Sequence, residues 1–331
     1  MLNKSHALNP KIFKKDIETR SCRDGFGEAL VEVGEKDDNV VVLSADLEDS
    51  TRVLDFKARF PERFYDVGVS EQALATVASG MAASGKIPFI TSFAVFSPGR
   101  NWEQIRTTIC LNDVPVKIIS THAGLNVGPD GATHQALEDI ALMRTLPNMI
   151  VIAPSDAEET KKAVRAAHAN AKPTYIRLPR YETPVYTTEK TPFTVGKSLI
   201  LWEEKDPQVA LIACGPLVYE ALKAAKKLSD TGIASLVINC QTPKPLDSQT
   251  LIHSAKLAGC IVTIEDHQVC GGLGSAVSEV LSQSFPTPIE FVGVKDSFGE
   301  SGTPRELFSK FGLTVQDIIS AAKKAIRRKN Q

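Results

Sequence analysis

Residues 66–93 read DVGVSEQALATVASGMAASGKIPFITSF. The stretch opens on the end of a β-branched run, RFYDVGV, and closes on another, PFITSF. Between them SEQALATVASGMAASG places small apolar residues at helical spacing. Strand, helix and strand in succession make a βαβ unit, which joins parallel neighbours through a crossover. The same alternation extends in both directions. Further strand-like runs are VVVLSA, PVKIIST, MIVIAPS and PTYIRLP, and RDGFGEALVEVGEK, NWEQIRTTICLN and DAEETKKAVRAAHANA read as helices. Near-continuous apolar strands suit a parallel sheet covered on both faces, so the fold class is α/β with a doubly wound sheet. Ser155 and Glu158 have the spacing of a capping box for the helix that follows.

The rhythm breaks at residues 181–207, YETPVYTTEKTPFTVGKSLILWEEKDP, rich in Pro and Thr and without helical period. We read this stretch as the linker and the entry into a second domain, and place two α/β domains at 1–190 and 191–331, the second the smaller. Strands resume with QVALIAC, ASLVINC, CIVTIEDH and IEFVGVK. Thr303-Pro304-Arg305-Glu306 reads as N-cap, N1 proline and capping-box glutamate, and Thr314 with Asp317 opens a last helix.

A length of 331 residues accommodates two domains. Lys+Arg 38 against Asp+Glu 39 leaves a net charge of −1 and no basic footprint for nucleic acid or a membrane surface. No apolar run is long enough to span a bilayer. The opening residues, MLNKSHALNPKIFKKD, carry no apolar core of a secretory signal. Six scattered cysteines, none in a C-x-x-C pair, read as reduced and mostly buried thiols of a cytoplasmic protein. Zinc-ligand spacing is absent, so no metal ligand is assigned within this chain.

Five segments hold candidate chemistry. Glu71 follows a strand end and opens a helix of small residues. It is either an acid favoured by a helix N-terminus or a proton-handling carboxylate at a buried junction. Phe93 and Phe96 flank a strand end. They are either core residues or an aromatic platform for a flat heterocycle. The loop THAGLNVGPDGATHQ puts His122, Asp130 and His134 among glycines at the carboxyl end of a strand, where α/β proteins bind ligands. Arg177 and Arg180 directly follow a strand, placed either for surface ion pairs or to clamp a phosphate. DHQVCGGLGSAV has a G-x-G spacing but Val277 where a dinucleotide fingerprint needs glycine, so close helix–strand packing is its better reading.

Taken together, these segments resemble one family. Glu71 in VSEQ, the SFAVF run, the THAGLNVGPDGATHQ loop and RTLPN occur in the order found in transketolases. EDHQVCGGLGSA and FGESGTPRELF are similar to that family's C-terminal domain. The resemblance covers nearly the whole chain and implies roles residue by residue. Glu71 would hydrogen-bond N1′ of the aminopyrimidine of thiamine diphosphate and favour the tautomer that deprotonates the thiazolium. Phe93 and Phe96 would flank that pyrimidine, with Gly99 where some transketolases carry a further aromatic. Asp46 in SADL would lie near the cofactor. His134, a catalytic candidate, and Asp130 would contact sugar hydroxyls near the reacting carbon. His122, Arg23, Ser50 and Arg180 would hold the sugar phosphate, with Arg20 a rival to Arg23.

Full-length transketolases begin with a domain whose GDG motif and downstream Asn hold a divalent metal on the cofactor's diphosphate. No GDG occurs here. The resemblance thus implies the C-terminal subunit of a split transketolase, active only with a separate N-terminal subunit that carries the motif and holds Mg2+ or Ca2+. The expected assembly is a heterotetramer, alpha2beta2, transferring a two-carbon ketol unit between sugar phosphates, as in the pentose phosphate pathway. A 1-deoxy-D-xylulose-5-phosphate synthase-like half would typically have His after the Glu-Gln pair and Arg in place of His122; here Ala73 and THAG stand instead. A 2-oxoacid dehydrogenase beta subunit typically lacks the DGxTH run. A scaffold that has lost catalysis is the reading from another class, and the presence of every candidate side chain counts against it.

Overall fold

The computed structural model describes residues 1–331. The strands of the first sheet are β1 (Val40–Ser44), β2 (Phe64–Asp66), β3 (Ile87–Phe93), β4 (Lys117–Thr121), β5 (Ile150–Ile152) and β6 (Thr174–Arg177). All pair in parallel, in the order β2-β1-β3-β4-β6-β5. Every residue of β1, β4 and β6 is buried, as two helical layers require. The Glu71–Ala83 helix supplies one such layer through Leu74, Ala75, Ala78 and Ala82. Its opposite face leaves Val77 and Gly80 open.

The second sheet holds β7 (Leu199–Glu203), β8 (Val209–Ala213), β9 (Ser235–Asn239), β10 (Ile261–Gln268) and β11 (Ile289–Val294), in the order β11-β10-β8-β9-β7. Only β7 runs antiparallel, on the edge beside β9. It lies inside the stretch read as linker and entry into the second domain, where no strand was named. Its Leu-Ile-Leu-Trp core was masked there by the surrounding Pro, Thr and charged residues.

The N-terminal segment reaches across to the second sheet. Asn3 N–H donates to the Leu201 carbonyl at 2.9 Å, and Ile12 and Phe13 pack into the apolar cluster of the second sheet. The first residues therefore pack with the second sheet, although they precede the first. One apolar cluster runs from Val41, Ile90 and Tyr175 to Ile212 and Leu236, so the two sheets share a core. No helix is long and apolar enough to cross a membrane.

Local signals held in three places and slipped in two. The capping boxes at Thr303–Glu306 and Thr314–Asp317 form as expected. A Cβ on Gly274 would lie 2.5 Å from Phe291, which is the close helix–strand packing read from the glycine run. Ser155 is not the cap of the next helix. Asp156 is, accepting from Glu159 N–H at 2.8 Å, while the Glu159 carboxylate turns back to Ser155 Oγ at 2.6 Å. The NWEQIRTTICLN stretch is helical but widens into a π-helical turn over Ile105–Cys110.

Candidate functional site

The carboxyl ends of β3, β4 and β6 carry the loops that hold most of the expected side chains. Phe93 ends β3, and the chain turns so that Phe96 comes back beside it, ring centroids 6.1 Å apart and 19° from parallel. His122 follows β4 with φ 58, a conformation a non-glycine residue adopts at a cost, and strain of this kind concentrates at functional sites. Its ring stacks on Phe93 at 3.8 Å. The His134 ring meets Phe96 edge-on at 5.5 Å and Phe93 at 6.3 Å. Phe93, Phe96, His122 and His134 thus form one aromatic basin.

Glu71 is 1% exposed at the start of its helix, yet its Oε2 accepts from Arg100 Nη1 at 2.7 Å. The same guanidinium lies 4.6 Å over the Phe96 ring. Arg100 was not among the expected residues. Its signal was spacing: Arg100 stands four residues after Phe96, and its N–H bonds the Phe96 carbonyl at 2.8 Å, one helical turn. A guanidinium next to Gly99 therefore bridges the buried carboxylate and the aromatic basin.

A second group lies beside the first. Arg23 donates through Nη1 to the Ser50 carbonyl and through Nη2 to the Arg180 carbonyl, each at 2.8 Å. Arg20 instead pairs with Glu28 and Glu158. Of the two rivals, the structure brings Arg23 to Ser50 and Arg180. Arg180 Nη1 donates to the Val127 carbonyl at 2.8 Å and to Asp130 at 3.1 Å, which ties Asp130 to this cleft. Arg177, expected as its companion, does not join it. Arg177 is 4% exposed and paired with Asp139 at 2.8 Å, with Tyr175 Oη donating to the same carboxylate at 2.7 Å. Burial, followed by the positive charge of Arg23, lowers the His122 pKa to about 3, so its ring is neutral at ordinary pH.

Asp46 lies on the exposed rim after β1, its carboxylate within 4.8 Å of those of Glu48 and Asp66. Its φ is 60, and its N–H donates to Asp66 at 3.1 Å. Lys57 pairs with Glu48 at 2.8 Å. Asp46 thus belongs to an acidic rim.

The second sheet shapes the His122–His134 loop. Asp266, at the end of β10, accepts from Leu125 N–H at 2.8 Å and Asn126 N–H at 3.3 Å. Gly124 has φ 79, and a Cβ there would lie 2.1 Å from the Asp266 carboxylate, so only glycine permits this approach. Gln135 donates to the Glu300 carbonyl at 2.9 Å. These contacts join distant segments, and no local pattern signals them.

An α/β pair of sheets with a carboxylate–aromatic basin beside an arginine cleft defines the class, and comparison with known proteins supplies the family. Residues 18–185 match the model of the transketolase pyrimidine-binding domain and residues 196–318 that of the transketolase C-terminal domain. A solved split-gene transketolase, an inactive beta4 tetramer, is 47% identical, with a TM-score of 0.87, and the match covers 93% of this chain and 99% of that one. The 6-deoxy-6-sulfo-D-fructose transketolase subunit SqwH of a Clostridium strain is 39% identical over 96% of this chain and 98% of its own. The transketolase of Leishmania mexicana is 25% identical, with a TM-score of 0.78, but only 48% of its length is covered. The chain belongs to the transketolase family and carries its pyrimidine-binding and C-terminal domains.

Proposed function

We propose that this chain is one half of a thiamine-diphosphate-dependent ketol transferase, completed by a separate N-terminal subunit. The observation that carries the reading is the buried Glu71 carboxylate linked through Arg100 to the Phe93–Phe96 basin. A buried acceptor next to aromatic faces fits an aminopyrimidine, which presents a flat ring and polar nitrogens. Thiamine diphosphate supplies, when bound, the nucleophilic carbon that carries the two-carbon unit.

Each residue of this chain then has a task. Glu71 holds a proton at the pyrimidine nitrogen. Phe93 and Phe96 hold the ring and exclude water. His134 and Asp130 orient sugar hydroxyls, with His134 moving a proton at the carbonyl under attack. Arg180, Arg23, Ser50 and neutral His122 bind the anionic end of the sugar. Asp46 would lie near the cofactor from its place on the acidic rim. The diphosphate and its divalent cation fall to the partner, since this sequence carries no GDG motif. In this reading residues up to about 190 bring the half-site and residues 191–331 brace its loop through Asp266. The assembly is a heterotetramer in the cytoplasm, and its substrates are sugar phosphates.

Calorimetry tests this. The isolated chain should bind thiamine diphosphate weakly, because the charged half of the cofactor finds no ligands here. Adding the N-terminal subunit with a divalent cation should restore both binding and ketol transfer. Strong metal-dependent binding by the isolated chain would refute the reading.

A further inference from the structure

The anionic end of the substrate, in the reading above, falls to four residues whose charge is smaller than the sequence suggested. His122 is neutral, so it offers an N–H and no charge. Arg23 spends both terminal nitrogens on the carbonyls of Ser50 and Arg180. A further guanidinium faces the same space. Arg52 lines one cleft of about 430 Å3 with Arg23, Arg180, Asp24 and Glu182.

We propose that Arg52 is a specificity-determining residue of this cleft, making it a subsite for a tetrahedral dianion such as the phosphate end of a sugar. The proposal rests on the ketol-transferase reading only for the identity of the sugar. The cleft is lined by three cationic side chains, Arg23, Arg52 and Arg180, and two anionic ones, Asp24 and Glu182. At its edge Asp130 pairs with Arg180 and Asp49 with Arg52, so what Arg52 adds is an unspent forked donor and not a surplus of charge.

The fold holds Arg52 in place at some cost. It follows the short helix Glu48–Thr51 with φ 64 and ψ 39, a left-handed conformation that L residues with side chains disfavour. Its Nε donates to Asp24 at 3.0 Å and its Nη1 to both the carbonyl and the carboxylate of Asp49, at 2.9 and 3.3 Å. Its own carbonyl lies where a Cβ on Gly27 would come within 2.6 Å. Gly27 and Asp24 share the Cys22–Lys36 helix with Arg23. That helix therefore fits closely around Arg52 and sets the two guanidinium groups side by side. What remains free faces the ligand. Nη2 of Arg52, and Nε and Nη2 of Arg180, make no hydrogen bond to the protein. The rim acids are already engaged, Asp24 by Arg52 and Glu182 by Thr19 Oγ1 at 2.7 Å. Forked donors from separate elements suit a phosphate, whose oxygens accept from several directions.

Every group named lies in this chain, so the isolated subunit suffices for the test. Inorganic phosphate and methanesulfonate, a tetrahedral monoanion, are titrated against it by calorimetry. Wild type should prefer phosphate. Arg52→Met should raise the phosphate Kd about tenfold, and weaken methanesulfonate less. In the assembled enzyme the KM for a phosphorylated acceptor should rise by a similar factor, and that for glycolaldehyde by much less. Should Arg52→Met fail to fold by circular dichroism, Asp24→Asn decides instead. It removes a rim charge and keeps Arg52, so phosphate should bind more tightly. A folded Arg52→Met with wild-type phosphate affinity, equal weakening of both anions, or no gain in Asp24→Asn would overturn the proposal. Absence of ketol transfer by the wild-type assembly would instead count against the functional reading, leaving the phosphate titrations to judge Arg52.

Discussion

The carboxyl ends of the two sheets carry similar side chains and treat them in opposite ways. At the end of β10, Glu265, Asp266 and His267 are each no more than 1% exposed. Glu265 accepts from Leu273 and Gly274 N–H groups at 2.7 and 2.8 Å, and Asp266 receives the His122–His134 loop. At the end of the first sheet, the side chains of Arg100, Arg180 and Asp130 keep 49%, 29% and 32% of their surface open. The buried groups are consumed by protein partners. The open ones retain hydrogen-bonding capacity for something else. Charge density alone does not mark the site; charge with unspent hydrogen-bonding capacity does. Arg177 and Arg180 show the rule within one segment, since Arg177 joins the buried group through Asp139 and Asp266 while Arg180 faces the cleft.

The sharpest way to break this comparison is to remove one group from each end. Glu71→Ala should lower turnover of the assembled enzyme by at least about a hundredfold, the scale of a lost proton-handling group. The loss should appear in exchange of the cofactor's C2 proton for deuterium, with the fold nearly intact. Unchanged exchange would mean a different carboxylate does this work. Arg177→Met should do the reverse. It leaves Asp139 buried without its cation, which costs about 3–5 kcal/mol of stability. Urea denaturation should show that loss. Arg165→Met, removing a half-exposed pair with Glu32 at 2.7 Å, should cost no more than about 1 kcal/mol.

The buried end also predicts a pH signature. Burial raises Glu265 to about 7 and lowers His267 to about 4, so both are neutral in the folded protein near pH 5.5. In the unfolded chain, with ordinary values of 4.5 and 6.5, both are charged there. A raised carboxyl makes stability fall as pH rises from 4.5 to 7; a lowered histidine makes it fall as pH drops from 6.5 to 4. Between 4.5 and 6.5 the folded and unfolded chains bind equal numbers of protons at this pair, and its contributions cancel. His267→Asn should therefore expose the glutamate's slope, stability falling with rising pH by up to about 1.4 kcal/mol per unit. Glu265→Gln should expose the opposite slope over the same range. Melting curves of the two variants with the same sign of pH dependence would show that the pair does not titrate this way.

Much of the fold was legible because parallel strands buried on both faces are written as continuous apolar runs, and β1, β3, β4 and β6 each declared themselves that way. The antiparallel edge strand β7 did not, since an edge strand needs less apolar sequence and lies amid residues typical of a linker. The position of Arg52 could not be read, and the spacing of Arg100 from Phe96 did not name its carboxylate partner. Each depends on an approach between elements, Gly27 against the Arg52 carbonyl and Glu71 against the turn after Phe96. Arg20 and Arg23 were equivalent as letters, and became distinct only when Glu28 and Glu158 took one of them.

One further effect separates the cleft from the basin. Arg180 holds the His122–His134 loop through Val127 and Asp130 with one nitrogen and leaves the others open. A charge-assisted bond to a dianion is worth about 1.5–3 kcal/mol. Arg180→Ala should therefore raise the KM of a phosphorylated acceptor by about tenfold or more. Binding energy lost equally from ground and transition states appears in KM and not in kcat. Glycolaldehyde is too short to reach the cleft while occupying the basin, so its KM should change far less. If both acceptors slow equally, Arg180 acts through the loop it braces, and the two groups of residues form one site whose parts cannot be tested separately.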